Sequence, residues 1–101
     1  MTGATQGLRG RVVIGEDAIV AGYAAAVFVD PVTGQPQWLG VWLPGETRRT
    51  VVPIHTASVD PEGRVVVPYP AAKVAAAPVL TAETISSKLA AQLHRYYGLA
   101  A

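Results

Sequence analysis

Cysteine is absent from the 101 residues, which excludes disulfides and thiolate-bound metals at once. Charge is scarce as well. Asp, Glu, Lys and Arg make up 15% of the chain, where soluble domains carry about 25%. The eight basic and seven acidic side chains leave a net charge of +1, and only Arg48 and Arg49 are neighbouring cations. Nucleic-acid binders neutralise several phosphates with clustered basic residues, so no DNA partner is expected. The longest apolar run, around Ala24 to Val29, falls far short of the roughly 20 residues a spanning helix needs. Met1 to Gly10 is polar and glycine-rich, without the apolar region of a secretion signal. These absences predict a soluble, cytoplasmic protein with no membrane span, and the lack of cysteine fits a reducing compartment.

Chemistry-bearing clusters are missing too. His55 and His94 fall in different predicted elements, and no Asp, Glu or Cys is spaced to join them in the three or four ligands of a zinc site. No metal and no cofactor are expected. Asp30, Asp60, Glu16 and Glu62 all sit at turns, and turn chemistry already accounts for both aspartates. Ser58, Ser86 and Ser87 lack the strained elbow of a nucleophile. No catalytic residue is assigned, and the chain is read as not an enzyme.

What is present is hydrophobic: 50% of the residues. That rules out disorder, which needs low hydrophobicity and high net charge. A chain of this size forms one domain and buries roughly two thirds of its unfolded surface. From Arg11 onward turn signals recur about every ten residues, as in small all-β domains. Short strands are predicted at "RVVIG", from Ile19 to Val29 with a bend or bulge at Gly22, from Trp38 to Leu43, from Thr47 to Ile54, and at "RVVVPY". A short segment from Thr56 to Val59 precedes the last. "VDPVTG" and "VDPEG" are turns with a cause: the aspartate accepts from backbone amides ahead of it, Pro31 presets φ in the first, and glycine takes positive φ. After Tyr69 the composition changes. Pro70 and Pro78 bracket an alanine-rich stretch of at most two helical turns. Thr81 reads as the N-cap of a final helix with Glu83 in its first turn. Ile85, Leu89, Leu93 and Tyr96 share one face of it, and Gly98 closes it.

With helices only at the end, no crossover helix is available for parallel strand pairs. The expectation is a mainly β fold, a small antiparallel barrel of five to six strands with a short helical segment and a C-terminal α-helix. Residues 1–9 form a flexible lead, residues 10–79 the barrel, and residues 80–98 the helix packed on it.

The segments "GYAAAVFVD", "TGQPQWLGV", "VVPIHTASVD", "GRVVVPYPAAKVAAAP" and "RYYGL", in that order and spacing, resemble the PRC-barrel family, named for the photosynthetic reaction-centre H subunit. A barrel of this kind also forms the C-terminal domain of a ribosome-maturation factor. The resemblance runs from Gly10 to Leu99 and is strongest to stand-alone bacterial members. It implies a small β-barrel acting as a binding or assembly module, with no catalytic motif. Gly22, Asp30, Gly34, Trp38, Val67, Pro68 and Pro78 match recurrent structural positions. The chain departs from the pattern where family members commonly carry polar residues: at Tyr23, Ala25 and Ala26, at Gly40 and Trp42, and at Ala71, Ala72, Ala75 and Ala76.

That departure raises a question. The strand around Trp38 and Trp42, the only two tryptophans, is apolar on both faces. Either the C-terminal helix covers both rings, or another subunit covers Trp42. The second reading predicts a homodimer or higher homo-oligomer, or docking of a different protein, with Trp42, Trp38, Tyr23, Ala25 and Ala26 at the interface. An alternative function is a ribosome-assembly or RNA-associated factor, with Arg48 and Arg49 touching the anion and Tyr96 and Tyr97 offering stacking surfaces.

Overall fold

The computed structural model describes residues 8–30, 32–81 and 84–99. Among them are six strands, β1 (Val12–Ile14), β2 (Val20–Val29), β3 (Pro36–Trp42), β4 (Arg49–Pro53), β5 (Ser58–Val59) and β6 (Val65–Val66). A single 3-10 turn, Ile54–Thr56, links β4 to β5, and two helices follow, α1 (Ala71–Ala75) and α2 (Ser87–Tyr97). The fold is mainly β with a short helix and a C-terminal helix, as the sequence predicts.

The sheet itself differs from the expectation. Its order is β4-β3-β2-β1-β6-β5, so it is open, with β4 and β5 at the edges. It is also mixed, because β1 pairs parallel with β6 through Val13–Val65 and Ile14–Val66. The long connection that parallel neighbours need is supplied by the intervening strands rather than by a helix. Closure into a barrel would require β4 to meet β5. The outward side of β4 is instead occupied by the chain's own C-terminal segment: the Leu80 N–H donates to the Arg49 carbonyl at 2.9 Å, and the Tyr97 hydroxyl donates to the Val51 carbonyl at 2.6 Å.

Both aspartate turns form as their residues dictate. Asp30 Oδ1 accepts from the Val32 N–H at 2.7 Å, and the Gly34 N–H returns to the Asp30 carbonyl at 2.7 Å, with Gly34 at φ 73°. Pro31 lies outside the described residues. Asp60 Oδ1 accepts from the N–H groups of Glu62 and Arg64 at 3.0 and 2.8 Å, and its carboxylate also pairs with the Arg64 guanidinium at 2.7 Å.

Most of the predicted flexible lead, residues 1–7, lies outside the described residues. Its end is not a lead. Leu8 is buried in the core, and the Gly10 N–H donates to the Ala24 carbonyl at 2.8 Å.

The inner face of the sheet carries Leu39 and Val41 of β3 and their register partners Val52 and Thr50 of β4. Ala24 and Val27 of β2 lie opposite Val41 and Leu39. Leu39, Val41, Val51, Val52, Val13, Val65 and Val67 lose all contact with solvent. Gly22 stands at the bulge where β2 shifts register against β1. A Cβ there would lie 2.1 Å from the Trp42 carbonyl oxygen, so only glycine lets β2 approach β3 so closely.

The C-terminal helix begins later than the sequence reading placed it. Ser86, not Thr81, is the N-cap, and its hydroxyl accepts from the Leu89 N–H at 3.1 Å. Glu83 lies outside the described residues. Gly98 closes the helix at φ 67°, and the Leu99 N–H reaches the His94 carbonyl at 2.9 Å. Helical spacing puts Tyr96 on the packed face, but its neighbour is the more deeply buried. Tyr97 is the buried one, one helical turn after fully buried Leu93. Tyr96 is half-buried and donates its hydroxyl to the Lys73 carbonyl, tying α2 to α1.

Two side chains stand against their surroundings, and each yields a prediction. The Thr50 hydroxyl is fully buried with no hydrogen-bond partner. Thr50→Val keeps the shape and removes an unpaired polar group, so it should raise stability by about 1 kcal/mol in denaturant unfolding. A loss of stability would mean the hydroxyl is paired. Ala18 sits at φ 63° in the β1–β2 turn, where a Cβ costs roughly 1 kcal/mol. Ala18→Gly should therefore raise the melting temperature by a few degrees, and an unchanged or lower one would contradict the strain.

Candidate interaction face

Register places four side chains in one row across the outer face of the sheet. Val12 lies opposite Tyr23, Tyr23 opposite Trp42, and Trp42 opposite Arg49. Directly opposed residues share a face and touch. Val20, opposite Ile14, lies on the same side. Tyr23 is 46% exposed, Val20 45% and Trp42 40%, a high exposure for large apolar groups in the middle of a sheet. The Arg49 guanidinium lies 5.1 Å from the Trp42 ring centroid, a cation–π contact that covers part of that ring.

Trp38 stands on the same face, four residues earlier in β3, yet it is 2% exposed. His94 of α2 meets its ring edge-on, with centroids 5.4 Å apart and planes at 86°. Between the two tryptophans lies Gly40, where an added Cβ would sit 3.3 Å from Phe28 Cε2 and 3.7 Å from the Ala25 methyl. The C-terminal helix thus covers one tryptophan and leaves the other. The reading that the helix covers both rings therefore holds for Trp38 and fails for Trp42.

Of the five residues predicted at an interface, Tyr23 and Trp42 meet on the open surface. Trp38 and Ala25 do not belong to it, since both are buried within the chain. Ala26 is half-buried. The cause is the irregularity between Ala24 and Val27, which breaks the two-residue alternation along β2. The sequence reading missed Val12 and Val20 as members of the patch. Alternation within one strand cannot find them, because they join Tyr23 only through the β1–β2 register.

Arg48 and Arg49 are both engaged. Arg48 pairs with Glu46 across the β3–β4 turn at 2.6 Å. That hydrogen bond holds the Glu46 carboxyl below the usual carboxylate range and raises the Arg48 guanidinium further. Arg49 lies against Trp42. The two cations are therefore committed to different partners. Tyr97 offers no stacking surface either, being buried against Tyr69 and Tyr96 with ring centroids 4.6 and 5.0 Å away. Burial pushes its phenol well above the ordinary tyrosine range, so it stays a proton donor. Lys73 Nζ stands 5.7 and 5.4 Å from the Tyr69 and Tyr96 rings.

A groove of about 530 Å³ separates the far end of the β2–β3 hairpin from the start of α2, walled by Val27, Phe28, Trp38 and Ile85. Among the described lining residues the one carboxylate, Asp30, is committed to the amides of its own turn. Among the described residues, no three His, Asp or Glu side chains are grouped to hold a metal ion. No described helix is long and apolar enough to cross a membrane. No protein-family model and no curated protein matches the chain.

The unequal cover of the two tryptophans is directly measurable. In single-tryptophan variants, Trp42 of Trp38→Phe should be quenched by acrylamide several times more efficiently than Trp38 of Trp42→Phe. Equal quenching would mean that α2 does not cover Trp38 alone.

Proposed function

We propose that this protein is a non-enzymatic, PRC-barrel-like binding and assembly module that self-associates through the Tyr23–Trp42 face. The observation that carries the reading is the pairing of two half-exposed aromatic rings as register partners in adjacent central strands. Val12 and Val20 border them. Aromatic residues are enriched at interface hot spots, where they bring large area at little entropic cost. The scarcity of charge on the chain fits the same role.

Size sets the strength expected. Half-exposed aromatic and aliphatic side chains of this kind offer about 300–400 Å² of apolar surface, taking roughly 150–250 Å² for a whole aromatic. A stable interface buries about 800 Å² per partner. The association is therefore a weak and reversible one, with a dissociation constant in the micromolar range or above. The module acts in the cytoplasm, in a bacterial setting as the resemblance implies, and a second copy of the chain is its first partner. Arg48 and Arg49, each already engaged, give little support to the RNA-associated alternative.

Sedimentation equilibrium over a wide dilution series tests this. The native protein should pass from monomer to dimer with concentration. Trp42→Ala should remain monomeric at the same concentrations with an unchanged melting curve. A native protein that stays monomeric up to millimolar concentration, or a variant that dimerises as tightly, would overturn the proposal.

A further inference from the structure

The longer of the sheet's two edges is closed by side chains and amides from elsewhere in the chain. In the β3–β4 ladder the Leu43 N–H bonds the Arg48 carbonyl, so hydrogen-bonded pairs alternate from there. The backbone groups of Arg49, Val51 and Pro53 consequently face away from β3. All three outward carbonyls are taken. The Leu80 N–H serves Arg49, the Tyr97 hydroxyl serves Val51, and the Thr56 hydroxyl serves Pro53 at 2.9 Å. Pro53 itself has no N–H to offer. The opposite edge, β5, is two residues long. Five residues of β4, by contrast, make an edge long enough to template another strand.

We infer that Leu80 and α2 together form a strap over the sheet edge, and that it holds off antiparallel pairing of β4 with the β4 of a second copy. Two bonds of different origin anchor it, one from a backbone amide and one from a phenol. Neither belongs to a regular ladder, so each opens without unravelling a strand. The phenol is well suited to the task. Its ring is fixed between Tyr69 and Tyr96, and its raised titration range keeps the donor proton in place at any ordinary pH. The strap is independent of the Tyr23–Trp42 face, since it guards an edge and not a face.

Tyr97→Phe keeps the ring and removes the donor, which should raise the opened-edge population about tenfold or more. Sedimentation velocity and amide hydrogen exchange on the full chain are the readouts. The expected result is new assemblies larger than those of the native protein, present also when Trp42→Ala is added. The Leu80 amide, whose N–H donates to the Arg49 carbonyl, should exchange faster while the Thr50 and Val52 amides, which face β3, keep their protection. Unchanged sedimentation with unchanged Leu80 exchange would overturn the inference. So would uniform loss of protection along β4, because Tyr97 would then be holding the whole core. Assemblies that vanish with Trp42→Ala would count against it equally, since they would arise from the face.

Discussion

The register of β2 against β3 is the constraint on which the rest depends. Sliding one strand by a single residue would exchange the two faces of the sheet. Leu39 and Val41 would move outward, and Trp38 and Trp42 inward. In most sheets the hydrophobic pattern forbids such a slip. Here both faces of β3 are apolar, so pattern alone is a weak guard. Backbone shape does the pinning. Asp30 fixes the hairpin with its own side chain, and Gly22 lets β2 come against the Trp42 carbonyl at a distance that admits no side chain. A larger residue at position 22 would push β2 away from the end of β3 that carries Trp42.

Given that register, the outer face divides. Phe28 lies over Gly40, and α2 brings His94 against Trp38. Beyond Gly40, among the described residues, Trp42 has the Arg49 guanidinium over its ring and Tyr23 beside it, and it stays 40% exposed. An 11-residue helix is about 16 Å long, roughly the length of five strand residues, so it shields only part of a seven-residue strand. The uncovered remainder is where aromatic area stays available. The same C-terminal segment also closes the β4 edge, which leaves the sheet open yet not exposed to strand addition on its longer side.

Much of this was legible in the residues. Five of the six strands, both aspartate turns, the bulge at Gly22 and the cap at Gly98 follow from local rules that depend on a few neighbouring residues, while β5 reads only as a short segment. What was not legible depends on distant pairings. The parallel β1–β6 pair is invisible to any argument that assumes a crossover helix. The Ser86 cap was hidden because Thr81, five residues earlier, satisfied the same preference. Tyr96 and Tyr97 are adjacent, and helical spacing alone picked the wrong one. Tyr97 wins because its hydroxyl finds the Val51 carbonyl 46 residues away. Of the residues proposed at an interface, Tyr23 and Trp42 were legible as apolar residues at alternate positions. Trp38 and Ala25 looked equivalent to them until α2 and the break in β2 distinguished them.

The central claim is that one tryptophan is sealed within the chain and the other presents a sticky face to a second copy. It is tested most directly by the two indole N–H resonances in proton–nitrogen spectra recorded over a dilution series. The Trp42 resonance should shift with concentration, together with the Tyr23 amide, while the Trp38 resonance stays in place. Two stationary resonances, or a moving Trp38 beside a fixed Trp42, would contradict the account.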